Sequence, residues 1–209
     1  LPKLHAGFMQ HSIFTDELKI YIITNSIVDT ENTNVLINNA GNGQVVSSSA
    51  LAGNDSILIS NYKLNTSGPL DISVSGTYLY GTTIFDTTFN YNVNYTLSSK
   101  GGEITSRDGV YSVSIPKNSL EENQYLIVGM GAFGQTAEQM YLAKDSKFGP
   151  IYTVSPVGKE LSKGLKIEFS LDNVDYNKVS VGYWDGDLWR ELPTYLSEDA
   201  LSLIANGTY

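Results

Sequence analysis

Between Phe89 and Leu97 every second residue is apolar: Phe89, Tyr91, Val93, Tyr95 and Leu97 alternate with Asn90, Asn92, Asn94 and Thr96. A spacing of two sends alternate side chains to opposite faces of a strand, whereas a helix would scatter these five around its circumference. At its most regular point the chain therefore reads as sheet, with one apolar face and one polar, solvated face, as in antiparallel sheets. The alternation recurs in Tyr111, Val113, Ile115 and in Leu165, Ile167, Phe169, Leu171. Shorter β-branched stretches at 18–24, 35–37, 57–64, 70–74, 124–130, 151–154 and 179–184 predict further strands. Turn signals separate them at Asn42-Gly43, Gly53-Asn54-Asp55, Ser67-Gly68-Pro69, Asp108-Gly109, Asp185-Gly186 and Asn206-Gly207. Asp185-Gly186, between Tyr183-Trp184 and Leu188-Trp189, is the best hairpin candidate. The one stretch with helical spacing is Gln135 to Lys144. The expected fold class is all-β, two antiparallel β-sandwich domains in tandem, over 1–98 and 102–209, with the break at Ser98-Ser99-Lys100-Gly101-Gly102.

Composition excludes several function classes. The 209 residues carry 13 basic and 22 acidic side chains, a net charge of −9, so a nucleic-acid backbone is repelled. No apolar run approaches the roughly 20 residues a helix needs to cross a bilayer. Cysteine is absent, which removes thiolate nucleophiles, disulfides and sulfur-ligated zinc. Low charge with abundant Asn, Ser, Thr, Gly and 14 Tyr fits an exported bacterial β-protein, extracellular or on the cell surface. Leu1 to Gln10 lacks the basic start and apolar block of a signal peptide, so the chain is expected to be either a processed chain or a piece of something longer.

The stretch from Gly102 carries a more particular pattern. Gly102-Glu-Ile-Thr-Ser-Arg-Asp-Gly109, then Val113-Ser-Ile-Pro-Lys-Asn-Ser-Leu120, resembles the opening of ZU-type β domains, found in ankyrins, netrin receptors and tight-junction scaffolds. Phe148-Gly-Pro-Ile-Tyr-Thr-Val-Ser-Pro156, Leu161-Ser-Lys-Gly-Leu-Lys-Ile167, Val179-Ser-Val-Gly-Tyr-Trp184 and Leu188-Trp-Arg-Glu-Leu-Pro193 continue the likeness. Ala205-Asn-Gly-Thr-Tyr209 looks like the last strand of bacterial relatives. Some family members cleave themselves at a His-Phe-Ser element, but no His follows His11, so that route is not expected. Bacterial versions commonly follow immunoglobulin- or fibronectin-like domains in large secreted or surface proteins, often subtilisin-like proteases. Phe14-Thr-Asp-Glu-Leu-Lys-Ile-Tyr21 resembles the first strands of such a preceding domain. The resemblance implies a non-catalytic accessory region whose partner is the rest of a larger parent chain.

Other candidate chemistry has weaker support. Gly129-Met-Gly131-Ala-Phe-Gly134 satisfies G-x-G-x-x-G, but a dinucleotide site needs a parallel βαβ unit and an acid about 20 residues on, and Asp145 falls too early. His5 and His11 are the only imidazoles, and no G-x-S-x-G is present. The loops holding Asp172, Asp175 and Asn177, and Asp29, Glu31 and Asn32, offer oxygens for a structural calcium, though neither matches an EF-hand. No other cofactor is expected. Asp185 and Asp187 flank a turn glycine, which explains both without catalysis. Sequons occur at Asn54, Asn65, Asn94 and Asn206. The remaining candidates for ligand binding are aromatic: Tyr78 with Tyr80, and Trp184 with Trp189, either pair forming a platform for a sugar ring or a protein. A carbohydrate- or protein-binding adhesin module is thus one alternative to the accessory reading, and a carboxylate-based hydrolase another.

Overall fold

Where apolar and polar residues alternate, the chain is strand. The computed structural model describes residues 4–10, 16–24, 26–51, 54–79, 84–131, 150–155, 161–171, 179–185 and 187–207. Among these are seventeen strands and one 3-10 turn, Thr30–Asn32. Every strand pairing is antiparallel. The protein is all-β. Gln135 to Lys144, where a helix is expected, lies outside the described residues.

A first sheet of four strands contains β1 (Leu4–Gln10), β2 (Glu17–Thr24), β5 (Ser48–Leu51) and β6 (Asn54–Lys63), in the order β1-β2-β6-β5. A central sheet of six contains β3 (Asn34–Asn39), β4 (Asn42–Val46), β7 (Gly68–Thr77), β8 (Ile84–Thr96), β11 (Gln124–Met130) and β12 (Tyr152–Ser155). Its order is β12-β11-β8-β7-β3-β4. A third sheet of five contains β9 (Gly102–Thr105), β10 (Tyr111–Ile115), β13 (Leu165–Ser170), β16 (Thr194–Leu196) and β17 (Ser202–Gly207), ordered β16-β17-β13-β10-β9. β14 (Gly182–Trp184) and β15 (Trp189–Glu191) form a separate hairpin.

The central sheet is shared by two cores. One face, carrying Val35, Ile37, Leu70, Ile72, Val74, Tyr91, Val93 and Ile127, packs on Leu18, Ile20, Ile22, Leu58 and Tyr62 of the first sheet. From the other face of β11, Leu126 and Val128 pack with Ile104, Tyr111, Val113, Ile115 and Leu165 of the third. β11 is thus buried on both sides, which is why Leu126-Ile127-Val128 breaks the alternation with a continuous apolar run. The Ser98–Gly102 break is a tight turn, with the Lys100 and Gly101 N–H groups donating to the Leu97 carbonyl at 3.1 and 2.9 Å. The β8–β11 ladder crosses it, pairing Tyr91 through Thr96 with Gly129 through Gln124.

That ladder changes the expected solvated face of β8. Asn92 Nδ2 donates to the Thr105 carbonyl at 2.7 Å and Asn94 Nδ2 to the Glu103 carbonyl at 3.1 Å. Residues two apart on β8 thereby cap carbonyls two apart on the outer edge of β9, an edge that would otherwise lie open. Thr96 is buried as well, and of the apolar set Tyr95 turns outward.

Two turn expectations are also corrected. The β3–β4 turn is Ala40-Gly41, with φ of 52° and 90°, rather than Asn42-Gly43. The observed register sets Val46 opposite Val35 in the core, whereas a turn at Asn42-Gly43 would bring Ser48 opposite Ile37. Asn206-Gly207 lies within β17, paired with Lys166 and Leu165.

Candidate ligand-binding hairpin

The strands on either side of Asp185 do pair as a hairpin, and the hairpin gathers the chain's only two tryptophans. Inward, Tyr183 packs with Val181, Leu192, Ala205, Ile167 and Phe169, which seats β14 on the third sheet. The ladder extends past the strand ends through the Leu192 N–H to the Val181 carbonyl at 2.8 Å. Because side chains alternate, Trp184 and its cross-strand partner Trp189 emerge on the face opposite Tyr183. Their rings meet edge to face at 5.6 Å, and both are half-buried. Such an aromatic pair contributes about 0.5–1.5 kcal/mol beyond its area. Among the described residues no acceptor reaches the buried Trp184 Nε1.

The turn is fixed by a carboxylate. Asp185 Oδ1 accepts the Leu188 N–H at 2.9 Å and the Asp187 N–H at 3.0 Å, while Oδ2 accepts Arg190 Nε. The two backbone N–H groups, then the guanidinium, hold the Asp185 pKa down at about 2. Arg190 is thereby tethered through one nitrogen while its side chain stays about half exposed. The hairpin presents two indole rings, a guanidinium and the exposed Leu188, a combination suited to a planar or hydroxyl-bearing ligand.

The other aromatic pair does not form a platform. Tyr78 is 6% exposed, a core residue whose ring lies 5.0 Å from that of Phe85, so it offers no face to a ligand. The alternation that carries β8 into the core also brings Phe85 inward, and burial of the Tyr78 ring raises its pKa. Tyr80 lies outside the described residues.

The remaining candidates have structural positions. Gly129 belongs to β11, between β8 and β12, both antiparallel. A Cβ there would come 2.2 Å from Tyr91 Cδ1, so this glycine admits a cross-strand tyrosine ring rather than a phosphate. Asp29 caps the 3-10 turn, accepting the Glu31 N–H at 3.2 Å and Asn32 Nδ2 at 2.7 Å. Asp172, Asp175, Asn177, His11 and Asp145 lie outside the described residues, and His5 is placed on β1. Among the described residues no three His, Asp or Glu side chains converge as metal ligands would.

Sequence reasoning missed a second cluster, at the joint between the central and third sheets. Asp108 Oδ1 accepts the Ser106 hydroxyl at 2.5 Å and the Val110 N–H at 3.1 Å, while Oδ2 accepts the Tyr152 hydroxyl at 2.6 Å. Burial opposes ionisation of Asp108, but these bonds outweigh it and lower its pKa. Burial, then the hydrogen bond to Asp108, raises that of Tyr152. The Tyr152 ring stacks on Tyr111 at 5.2 Å. Asp108 reads as a turn residue in the sequence; its partner is 44 residues away, where no local pattern shows it.

No protein-family model matches this chain. No curated protein matches it either.

Proposed function

We propose that the chain is a non-catalytic accessory region of a secreted or cell-surface bacterial protein, a stiff β-spacer that stabilises its neighbours and presents a binding hairpin. The observation that carries this reading is what the described carboxylates do. Asp108, Asp185 and Asp199 each bind backbone N–H groups of their own turn, and each has a lowered pKa. Glu168 is lowered too, chiefly by Lys166 at 2.8 Å. A general acid for hydrolysis needs a raised pKa, so these groups favour scaffold over hydrolase. The ladder from β8 to β11 supports the spacer role, because it ties the stretch resembling a ZU-type domain to the sheet before it. Intact mass and peptide mapping of the native protein test the proposal. A product much larger than this chain, with activity residing elsewhere in it, supports it; an active product of this length refutes it.

The hairpin favours a second reading, a glycan- or protein-binding adhesin module. Its support is the indole pair beside a tethered guanidinium and the Trp184 N–H, which has no acceptor among the described residues. Since both tryptophans sit there, their fluorescence reports on this site alone. Titration with oligosaccharides that leaves the emission unchanged would remove the glycan version.

A further inference from the structure

Of the six outer strands of the three larger sheets, three are protected by recognisable devices. β9 is capped by Asn92 and Asn94, β5 shifts register at Ala50/Leu51, and β16 is three residues long and follows Pro193. These are standard means of stopping one edge from pairing with another. β4, the last strand of the central sheet, carries none of them. Asn42-Gly-Gln-Val-Val46 has no charge, proline or bulge, and its first four residues are exposed. Val45 is 68% exposed, and beside it on β3 Leu36 is 40% exposed.

The register identifies which backbone groups are open. Ala40-Gly41 is a two-residue turn, so Asn39 and Asn42 form the hydrogen-bonded pair next to it, followed by Ile37 with Gln44 and Val35 with Val46. Gly43 and Val45 occupy the intervening non-bonded pairs. Their N–H and C=O groups point away from β3, to the open edge.

We propose that this edge pairs with β4 of a second copy of the chain, antiparallel about a two-fold axis at Gln44. The axis sets Gly43 opposite the partner's Val45, so two reciprocal pairs of hydrogen bonds form between the outward groups. An isologous contact sets any charge near its axis close to its own image, a repulsion that a charge-free segment avoids. From Asn32 to Asn54 there is no Asp, Glu, Lys, Arg or His, and β4 lies in the middle of that stretch. Five residues make a small interface, so the dimer is weak and concentration-dependent.

Sedimentation equilibrium and amide exchange test this. The wild-type mass is expected to rise from 22.8 kDa toward twice that value with concentration. The Gly43 and Val45 amides should slow in parallel, while those of Gln44 and Val46, already bonded to β3, do not change. Val45→Pro removes an outward N–H that β3 does not use, so the fold should survive while dimerisation weakens at least tenfold. Val45→Lys should weaken it too, through charge. A wild-type chain that stays monomeric overturns the proposal, even if a foreign β-strand peptide protects the same amides. So does dimerisation undiminished in both variants.

Discussion

Asn92→Asp changes almost nothing in shape and reverses the chemistry at the joint between β8 and β9. The amide donates to the Thr105 carbonyl at 2.7 Å, while a carboxylate there has no proton to give and faces a carbonyl dipole. Loss of the bond alone, as in Asn92→Ala, costs about 1–2 kcal/mol because the carbonyl is left without its donor. Added repulsion brings Asn92→Asp to about 3 kcal/mol at neutral pH. Asn94, at 3.1 Å and more exposed, is expected to contribute about 0.5 kcal/mol. The pH dependence separates these terms. Once protonated, the introduced carboxyl can again donate, so its folded pKa lies above the unfolded value near 3.9. Its favourable contribution is present below that unfolded value and disappears as pH rises through the folded pKa. Urea unfolding should therefore rank Asn92→Asp below Asn92→Ala at neutral pH, and level with or above it in acid. Equal stability of wild type and Asn92→Asp at neutral pH would refute the view that these amides hold the sheets together.

Tyr152→Phe removes the hydroxyl that donates to Asp108 and should cost about 1 kcal/mol in urea unfolding. The Asp108 pKa is lowered on folding, so its contribution is present above the unfolded pKa and lost as pH falls through the folded one; the variant should flatten that acid limb. At the hairpin, tryptophan emission should hold steady from neutral pH until Asp185 protonates at about 2, then shift as the turn loosens. Asp185→Asn should abolish that transition, and an unchanged one would place its origin elsewhere.

The strands were legible because burial on one face writes itself as alternation, and β10 and β11 fall where the sequence puts them. The sharing of the central sheet was not legible. Asn92 and Asn94 look like solvated residues until β9 is known to lie across them, and the pairing of β8 with β11 depends on long-range contacts. Trp184 and Trp189 could be located from the Asp185-Gly186 turn between them, since a hairpin brings its flanking residues together. Burial of Tyr78 could not, because its short apolar context fits either face of a strand.

One local device occurs twice, and only one copy announces itself. In the turn between β9 and β10, Ser106 Oγ donates to Asp108 Oδ1 at 2.5 Å, the Val110 N–H to the same oxygen at 3.1 Å, and the Tyr111 N–H to Ser106 Oγ at 3.0 Å. Between β16 and β17, Ser197, Asp199, Leu201 and Ser202 repeat those three bonds at 2.5, 3.1 and 3.0 Å. The two turns differ at the residue after the aspartate, Gly109 with φ 74° in one and Ala200 with φ 59° in the other. Left-handed backbone costs an L-residue about 1–2 kcal/mol, while glycine loses about 0.4–1 kcal/mol more through the unfolded chain. Ala200→Gly should therefore stabilise by about 0.5–1 kcal/mol, and Gly109→Ala destabilise by a similar amount. A Cβ at Gly109 meets nothing within 4 Å, so the second substitution reads the backbone cost without a clash. The turns share none of the bonding residues, so the two changes should cancel in the double variant. Urea unfolding that gave both substitutions the same sign would mean that the turns, alike in their bonds, are not alike in energy.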